Sequence, residues 1–245
     1  MKVLGVEFFE GKIDDIIRKS SEGGLIVAPS GPGLSGDLIV SKSYKDSLSK
    51  ADLVLPDSGL MCLCLKIFWG KSLRRISGLE YLRKILDVID LQGTSSFWVM
   101  PDMEQSNASL SWLKKTYDID IKPDSVYIAP IYSKNVYIED HKLLEKIRTK
   151  KPKFVFIQVG GGTQERLGLY LKNHLTDEST IICTGAALAF MTGQQVRIPK
   201  IADKYYFGWL MRCLTNPKVF VPRYLNAFRL VYILLKFGEN SPLRN

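Results

Sequence analysis

Few of the 245 residues are of the kinds that build metal or thiol chemistry. The two histidines, His141 and His174, both fall in polar-rich helical patterns, so neither a histidine metal site nor a Ser–His–Asp triad is expected. Four cysteines, Cys62, Cys64, Cys183 and Cys213, include no C-x-x-C pair, which excludes a zinc ribbon and a thioredoxin-like motif. Scattered thiols of this kind suit a reducing compartment. No apolar run reaches the roughly 18 residues that a membrane-spanning helix needs. The opening MKVLGVEFFEGK meets a glutamate before any apolar core develops, so no secretory signal is expected. No internal repeat or low-complexity linker interrupts the chain.

What is present is an ordinary folding composition, 46% hydrophobic and 24% charged. Short apolar runs alternate with amphipathic stretches. The pattern predicts strands over Val3–Phe8, Gly24–Ala28, Leu53–Leu55, Phe97–Met100, Ser125–Ala129, Phe154–Val159 and Thr180–Cys183. Helices are predicted near 12–19, 38–50, 59–68, 79–90, 104–117, 138–149, 164–174 and 186–193. Runs such as FVFIQV are apolar throughout, which suits strands buried on both faces of a parallel sheet. The fold class is α/β, a doubly wound, largely parallel sheet of Rossmann-like type. Ligands of such sheets bind beyond the carboxyl ends of the strands, so the loops after each strand are the ones to inspect.

Charge is unevenly spread. Residues 195–245 hold nine Lys/Arg against two acids, a net of +7, out of +9 for the whole chain. From about 196 the pattern is helical, aromatic and basic, with no further strand. This divides the chain into an α/β core over 1–195 and a basic helical appendage over 196–245. Basic residues such as Arg212, Lys218 and Arg223 stand among Tyr205, Trp209, Phe220 and Tyr224. Such interleaving suits an anionic membrane surface, a nucleic acid or a diphosphate.

Four loops carry candidate chemistry. After the strand GLIVA, Gly31, Gly33 and Gly36 fit G-x-G-x-x-G, and Asp57 follows 21 residues after Gly36, as in a dinucleotide-binding fingerprint. Pro32 between the first two glycines, and a position after the second predicted strand, argue against that assignment. Asp57 itself, just past the strand ADLVL and at the start of a helix, fits a general base or an ordinary helix cap. Gly160, Gly161 and Gly162 lead from a strand into a helix carrying Gln164 and Glu165; they form either an anion cradle or a tight turn. Asp118-Ile119-Asp120 has the D-x-D form of a metal-diphosphate site but sits among turn-like polar residues.

Taken in order, these segments resemble the WecG/TagA/CpsF family of glycosyltransferases, from about Val3 to Tyr224. ADLVLPDSGL and RRISGLEYL are similar to the family's aspartate-bearing strand end and Arg-x-x-Gly element. GGGTQE resembles its Gly-x-Pro-Lys-Gln-Glu, TGAALAFMTGQQVRIP its Gly-rich helix and Arg-Ala-Pro, and WLMRCLTNPKVFVPRY its C-terminal Trp…Arg…Arg-Tyr ending. The resemblance implies inverting transfer from a UDP-sugar, of N-acetylmannosamine type or a related hexose, to N-acetylglucosamine on a polyprenyl diphosphate. It implies no bound metal, no cofactor, no nucleic acid, and in some members a homo-oligomer. Asp57 is then the catalytic base. Ala28, Pro29, Ser30, Ser58, Gly59, Arg75, Gly78, Tyr132, Gly160, Gly161, Gln164, Glu165 and Gly185 fall where donor and acceptor bind. Arg212, Lys218 and Arg223 fall where the appendage meets the diphosphate, and the appendage itself binds membrane. The implied location is cytoplasmic, peripheral at the inner face of the cell membrane. Departures from the family pattern, Ala28 and Ser30 in Thr-Pro-Asn and Gly162-Thr163 in Pro-Lys, leave the donor sugar open. An NAD(P)-dependent oxidoreductase built on GPGLSG, and a non-catalytic basic membrane-binding protein, are the competing readings.

Overall fold

A computed structural model describes residues 1–89, 95–175, 179–193, 214 and 217–243, with 219, 220 and 222–227 described by backbone alone. The chain opens with β1 (Lys2–Val3) and β2 (Val6–Glu7), paired antiparallel with Val3 opposite Val6. Between them Leu4 and Gly5 both take positive φ, 52° and 80°, which is what a two-residue hairpin turn requires. The single strand expected over Val3–Phe8 is therefore a hairpin outside the main sheet. The apolar run VLGVEFF conceals the turn, because Leu4 is an uncommon occupant of the left-handed region. The N–H groups of Leu4 and Gly5 donate to the carbonyls of Gly238 and Glu239, both at 2.9 Å, and so tie the two ends of the chain together.

Among the described residues six strands form one parallel sheet. They are β3 (Gly24–Val27), β4 (Leu53–Val54), β5 (Ser96–Met100), β6 (Val126–Ile128), β7 (Phe154–Ile157) and β8 (Thr180–Cys183), in the order β4-β3-β8-β7-β5-β6. The register sets Ile26 beside Leu53 and Ile182, and Val99 beside Ile157 and Tyr127. Alternate residues face opposite layers, and both faces are buried. Leu25, Val27, Val155, Ile157 and Ile181 enter one core; Ile26, Trp98, Phe156 and Ile182 enter the other, where Trp98 stacks on Phe156 at 4.2 Å. Each such side chain contributes roughly 1.5–3 kcal/mol by leaving water. That is why the strands read as unbroken apolar runs rather than alternating ones.

The first core is covered by α3 (Lys42–Ser49), α4 (Gly59–Trp69), α8 (Thr163–His174) and α10 (Pro217–Phe237). The second is covered by α1 (Ile13–Lys19), α5 (Gly78–Val88), α6 (Met103–Tyr117) and α9 (Ala187–Thr192). The helix expected over 38–50 is interrupted. A π-helical turn, Gly33–Asp37, runs into α2 (Leu38–Val40), and Ser41 then leaves helical geometry at φ −117°, ψ 109°. The Ser41 hydroxyl accepts from the Tyr44 N–H at 3.2 Å and restarts the chain as α3. Ser58, Ser77, Asp102 and Asp140 cap α4, α5, α6 and α7 (His141–Lys150) in the same way.

Of the segment expected as an appendage, residues 196–213 lie outside the described residues. From Leu230 onward it is woven into the core: Leu230, Ile233 and Leu234 are buried. Lys71 pairs with Glu239 at 2.7 Å, and the Lys45 ammonium donates to the Leu243 carbonyl at 3.2 Å. No helix among the described residues is long and apolar enough to cross a membrane.

Candidate active site

Strand order decides which loops meet. The chain builds β3 and β4 first, moves to the far side for β5 and β6, then fills the gap with β7 and β8. The carboxyl ends of β4, β3, β8 and β7 are thus consecutive neighbours. They bring Asp57, Ala28–Ser30, Thr184–Gly185 and Gly160–Gly162 to one edge, at the topological switch where doubly wound sheets bind ligands.

Asp57 sits at the end of β4 and remains partly exposed. Its Oδ1 accepts the N–H of Gly78, the first residue of α5, at 3.1 Å. The Arg75 guanidinium lies 3.9 Å from the same oxygen, and Arg75 Nε donates to the Asp57 carbonyl at 2.8 Å. Arg75 therefore fixes the backbone while the helix terminus fixes the carboxylate, and both favour its ionised form. Gly78 sits at a close approach. A Cβ there would lie 3.2 Å from Ala28 Cβ and 3.3 Å from the Thr184 carbonyl, so a side chain could enter between the ends of β3 and β8 only by shifting them a few tenths of an ångström.

Around this carboxylate the structure gathers most of the expected residues. A Cβ on Gly31 would lie 3.1 Å from Ser58 Oγ, and one on Gly161 would lie 4.0 Å from Ser30 Oγ. Both serines also serve local structure: Ser30 accepts from Gly33 N–H at 3.4 Å and Ser58 from Met61 N–H at 3.3 Å. Ala28 and Pro29 are buried beneath them, and Gly59 begins α4. Gly160 and Gly161 are exposed, with nothing within 4 Å of the place a Gly160 Cβ would take.

Gln164 and Glu165 are placed differently from the anion cradle considered above. Both are buried. Glu165 Oε2 accepts the Gly162 N–H at 2.7 Å, Gln164 Nε2 donates to Glu165 Oε1 at 3.0 Å, and Gln164 Oε1 accepts the Gly185 N–H. The Gln164 N–H donates to the Gly160 carbonyl. The protein's own glutamate thus occupies the helix terminus, and Gln164 braces the loop after β8 against the loop after β7. Burial, the largest influence, pushes the Glu165 carboxyl up to about 7, against the pull of its hydrogen bonds. Gly162 takes φ +84°, and a Cβ there would stand 2.9 Å from Asp37 Oδ2.

Three further residues adjoin Gln164 and Glu165 and were not picked out from the sequence: the half-buried Asp37 and the buried Tyr44 and Arg166. Arg166 donates through Nε to the Gly162 carbonyl at 2.8 Å and through one terminal nitrogen to the carbonyls of Ser133 and Val136. Tyr44 Oη lies 2.5 Å from where a Gly33 Cβ would be. Gly33 therefore makes room for a tyrosine rather than a pyrophosphate. Because the hairpin stands apart, GPGLSG does follow the first strand of the sheet. Even so, Ser30 takes the N–H groups of both Gly33 and Leu34. One signal for the buried group was available: α8 reads RLGLYL beyond its polar start, apolar on every side, so polar residues on it had to be buried too.

The remaining candidates lie elsewhere. The Tyr132 hydroxyl donates to Asp140 at 2.6 Å, an acceptor it shares with Tyr127. Asp118 ends α6 in the left-handed region at φ 57° and pairs with Lys114 at 2.7 Å, while Ile119 is buried. Since α6 leaves the carboxyl edge after β5, its end lies at the opposite edge. Among the described residues no three His, Cys, Asp or Glu side chains group as metal ligands. Arg212 is outside the described residues, as is the side chain of Arg223. Lys218 is exposed at the start of α10. Leu230 of that helix reaches to 3.9 Å from the place of a Gly31 Cβ. Cavities of about 230 and 250 Å³ lie beside Arg166 and Tyr170 and beside Trp69 and Leu234, respectively. Neither holds Asp57.

A parallel sheet whose carboxyl edge gathers a clamped carboxylate and several glycine-rich loops is the layout of a doubly wound α/β enzyme. The chain belongs to the WecG/TagA/CpsF family of glycosyl transferases, whose family model matches residues 1–241. It is similar to a Bacillus spizizenii protein, 23% identical over 210 residues, 83% of this chain and 78% of that one. A Bacillus subtilis protein is 23% identical over 195 residues, 79% and 73% of the two chains. A Staphylococcus aureus protein is 21% identical over 225 residues, 88% and 85%. All three are named N-acetylglucosaminyldiphosphoundecaprenol N-acetyl-beta-D-mannosaminyltransferase.

Proposed function

We propose that this protein transfers a sugar, of N-acetylmannosamine type or a related hexose, from a UDP donor to N-acetylglucosamine on a polyprenyl diphosphate, with inversion and without a bound metal. The observation that carries this reading is Asp57, an accessible carboxylate clamped at the switch point by Gly78 and Arg75. Asp57 accepts the proton of the acceptor hydroxyl as that oxygen bonds to the anomeric carbon. The bond from the anomeric carbon to the β-phosphate oxygen breaks on the opposite face, and UDP leaves with the electron pair. One positioned base of this kind is typically worth about 10²–10⁴ in rate. The charge on the departing diphosphate calls for cations, and Arg212, Lys218 and Arg223 are the candidates. Ser30, Ser58, Gly160 and Gly161 line the donor and acceptor, with Gln164, Glu165 and Gly185 holding that lining in shape. The names of the relatives support the acceptor and the mannosaminyl-type donor. A lipid-linked acceptor requires work at a membrane surface, and we assign this to the cytoplasmic face, with residues 196–245 as the membrane-associating part.

The test is acceptor-dependent UDP release from a panel of UDP-sugars, with a short-chain prenyl-diphosphate N-acetylglucosamine, with and without EDTA. Release that survives EDTA and collapses in Asp57→Asn is the expected result. No release with any donor overturns the reading, and NAD(H) titration then tests the oxidoreductase alternative.

A further inference from the structure

Outside the site, two adjoining helices carry an exposed apolar surface. On α4 the side chains of Met61, Cys62 and Leu65 are buried, as a core-facing stripe should be, but Leu63, Ile67, Phe68 and Trp69 are exposed. On α10, Leu230, Ile233 and Leu234 are buried, while Phe228, Tyr232 and Leu235 are exposed. Positions 228, 232 and 235 follow i, i+4, i+7 spacing and so share one face. Leu63, Ile67, Phe228, Tyr232 and Leu235 are each between 53 and 64% exposed, far more than isolated surface contacts explain. The two helices run side by side. Leu230 stands near Gly31 and Ser58 at the start of α4, and Leu234 shares a cavity with Leu65 and Trp69 at its end.

The charge on this surface has one sign. From Ser58 to Leu79 the sequence has no acid but carries Lys66, Lys71, Arg74 and Arg75; α10 has no acid and carries Lys218, Arg223, Arg229 and Lys236. Lys66, Arg74, Lys218, Arg229 and Lys236 are exposed. The acid that meets this region, Glu239, is paired with Lys71. A second copy docked through the same patch would set these cations against themselves, with Glu239 already engaged by Lys71. Apolar side chains edged with lysine and arginine, with aromatics between, suit an anionic bilayer.

We propose that the exposed face shared by α4 and α10 is the surface that docks on an anionic lipid bilayer, so that the α/β core, and not only the C-terminal appendage, touches the membrane. This deepens the transferase reading and rests on it for its purpose. Helix α4 begins directly after Asp57, so a bilayer along α4 holds the carboxylate about one helix length, roughly 16 Å, from Trp69. A sugar on a prenyl diphosphate stands just outside the lipid surface, so docking along α4 brings the acceptor and the carboxylate to the same face.

The experiment is flotation of the full chain with vesicles of phosphatidylcholine alone and with about one-third phosphatidylglycerol. The wild type is expected to float with the anionic vesicles. Ile67→Glu/Phe68→Glu and, separately, Leu235→Glu are expected to lower the partition coefficient about tenfold or more. Val88→Glu, an exposed position on α5 at the opposite face of the sheet, is expected to leave it unchanged. Thermal melts within a few degrees of wild type show that the folds are intact. Flotation unchanged in both α4 and α10 variants overturns the proposal, as does a wild type that ignores vesicles and forms dimers that Ile67→Glu dissolves. Turnover on a water-soluble short-chain acceptor is read in parallel. Loss of flotation with that turnover retained supports the docking face. Flotation that follows the face in a protein with no transfer at all sinks the transferase reading and leaves the docking surface standing.

Discussion

Two helices in this molecule start at or just after a glycine whose N–H meets a carboxylate, and each has an arginine whose Nε donates to a backbone carbonyl beside it. At α5 the parts are Gly78, Asp57 and Arg75; at α8 they are Gly162, Glu165 and Arg166. The motifs are nearly the same, yet the outcomes differ because of burial and of where each carboxylate originates. The Asp57 side chain is 25% exposed and comes from a neighbouring strand, so it joins two elements and still faces solvent. Glu165 is 1% exposed and caps its own helix. The first carboxylate has an open side for a reacting hydroxyl. The second has spent its acceptors on Gly162 and Gln164. On the proposed function chemistry belongs to the first, while the second ties together the loops after β7 and β8.

Asp57→Asn is the substitution that separates the two most strongly. Asparagine keeps an oxygen for the Gly78 N–H but cannot take a proton at neutral pH. Turnover should fall about 10²–10⁴-fold while the melting temperature changes little. A loss below about fivefold in steady-state UDP release would remove Asp57 from the role of base. Glu165 should behave in the opposite way. Its folded-state carboxyl is raised to about 7 from an ordinary 4.5, so the folded state holds the proton more tightly than the unfolded chain does. The associated stability is fully present below about pH 4.5 and is lost as pH rises through about 7. The full difference is worth up to about 3 kcal/mol. Denaturant titrations across pH 4.5–8 should show this decline in the wild type and a flatter profile in Glu165→Gln. A pH profile that Glu165→Gln leaves unchanged would mean that the glutamate is not the titrating group.

The same contrast marks what the sequence made legible. Asp57 was visible because it ends a wholly apolar strand, and position after such a strand is a local property. The six parallel strands were visible for the same reason. The hairpin at Leu4–Gly5 and the break at Ser41 were not, since each depends on one residue adopting an unexpected dihedral inside a run that favours continuity. The group around Glu165 was half visible. GGGTQE announced a turn and a helix, but Arg166, the next residue, was not singled out, and Asp37 and Tyr44 reach the group from a segment more than 110 residues earlier in the chain. Only the packing of α3 and the π-helical turn against α8 brings them there. Gly162→Ala probes that packing next. A φ of +84° and a Cβ 2.9 Å from Asp37 Oδ2 should cost about 1–3 kcal/mol, seen as a lower urea midpoint. An unchanged midpoint would mean that Asp37 moves aside freely and that this end of the edge is not rigid.

The smallest expected effect has the opposite sign and tests the sealed side most directly. Tyr44 is fully buried, and among the described residues its hydroxyl has no hydrogen-bond partner. Burial, followed by the nearby carboxylates of Glu165, Asp37 and Asp57, drives its ionisation well above the ordinary tyrosine range, so it stays neutral. A buried hydroxyl without a partner costs stability, typically about 1–3 kcal/mol less whatever its ring packing returns. Tyr44→Phe removes the oxygen and keeps the ring against Gly33. The variant should therefore match the wild type or exceed it by up to about 1 kcal/mol in denaturant titrations, with UDP release unaltered. A loss of more than about 1 kcal/mol would show that the hydroxyl donates to one of the three carboxylates. The two helix ends would then be coupled through Tyr44, and the sealed end would be part of the machinery that holds Asp57.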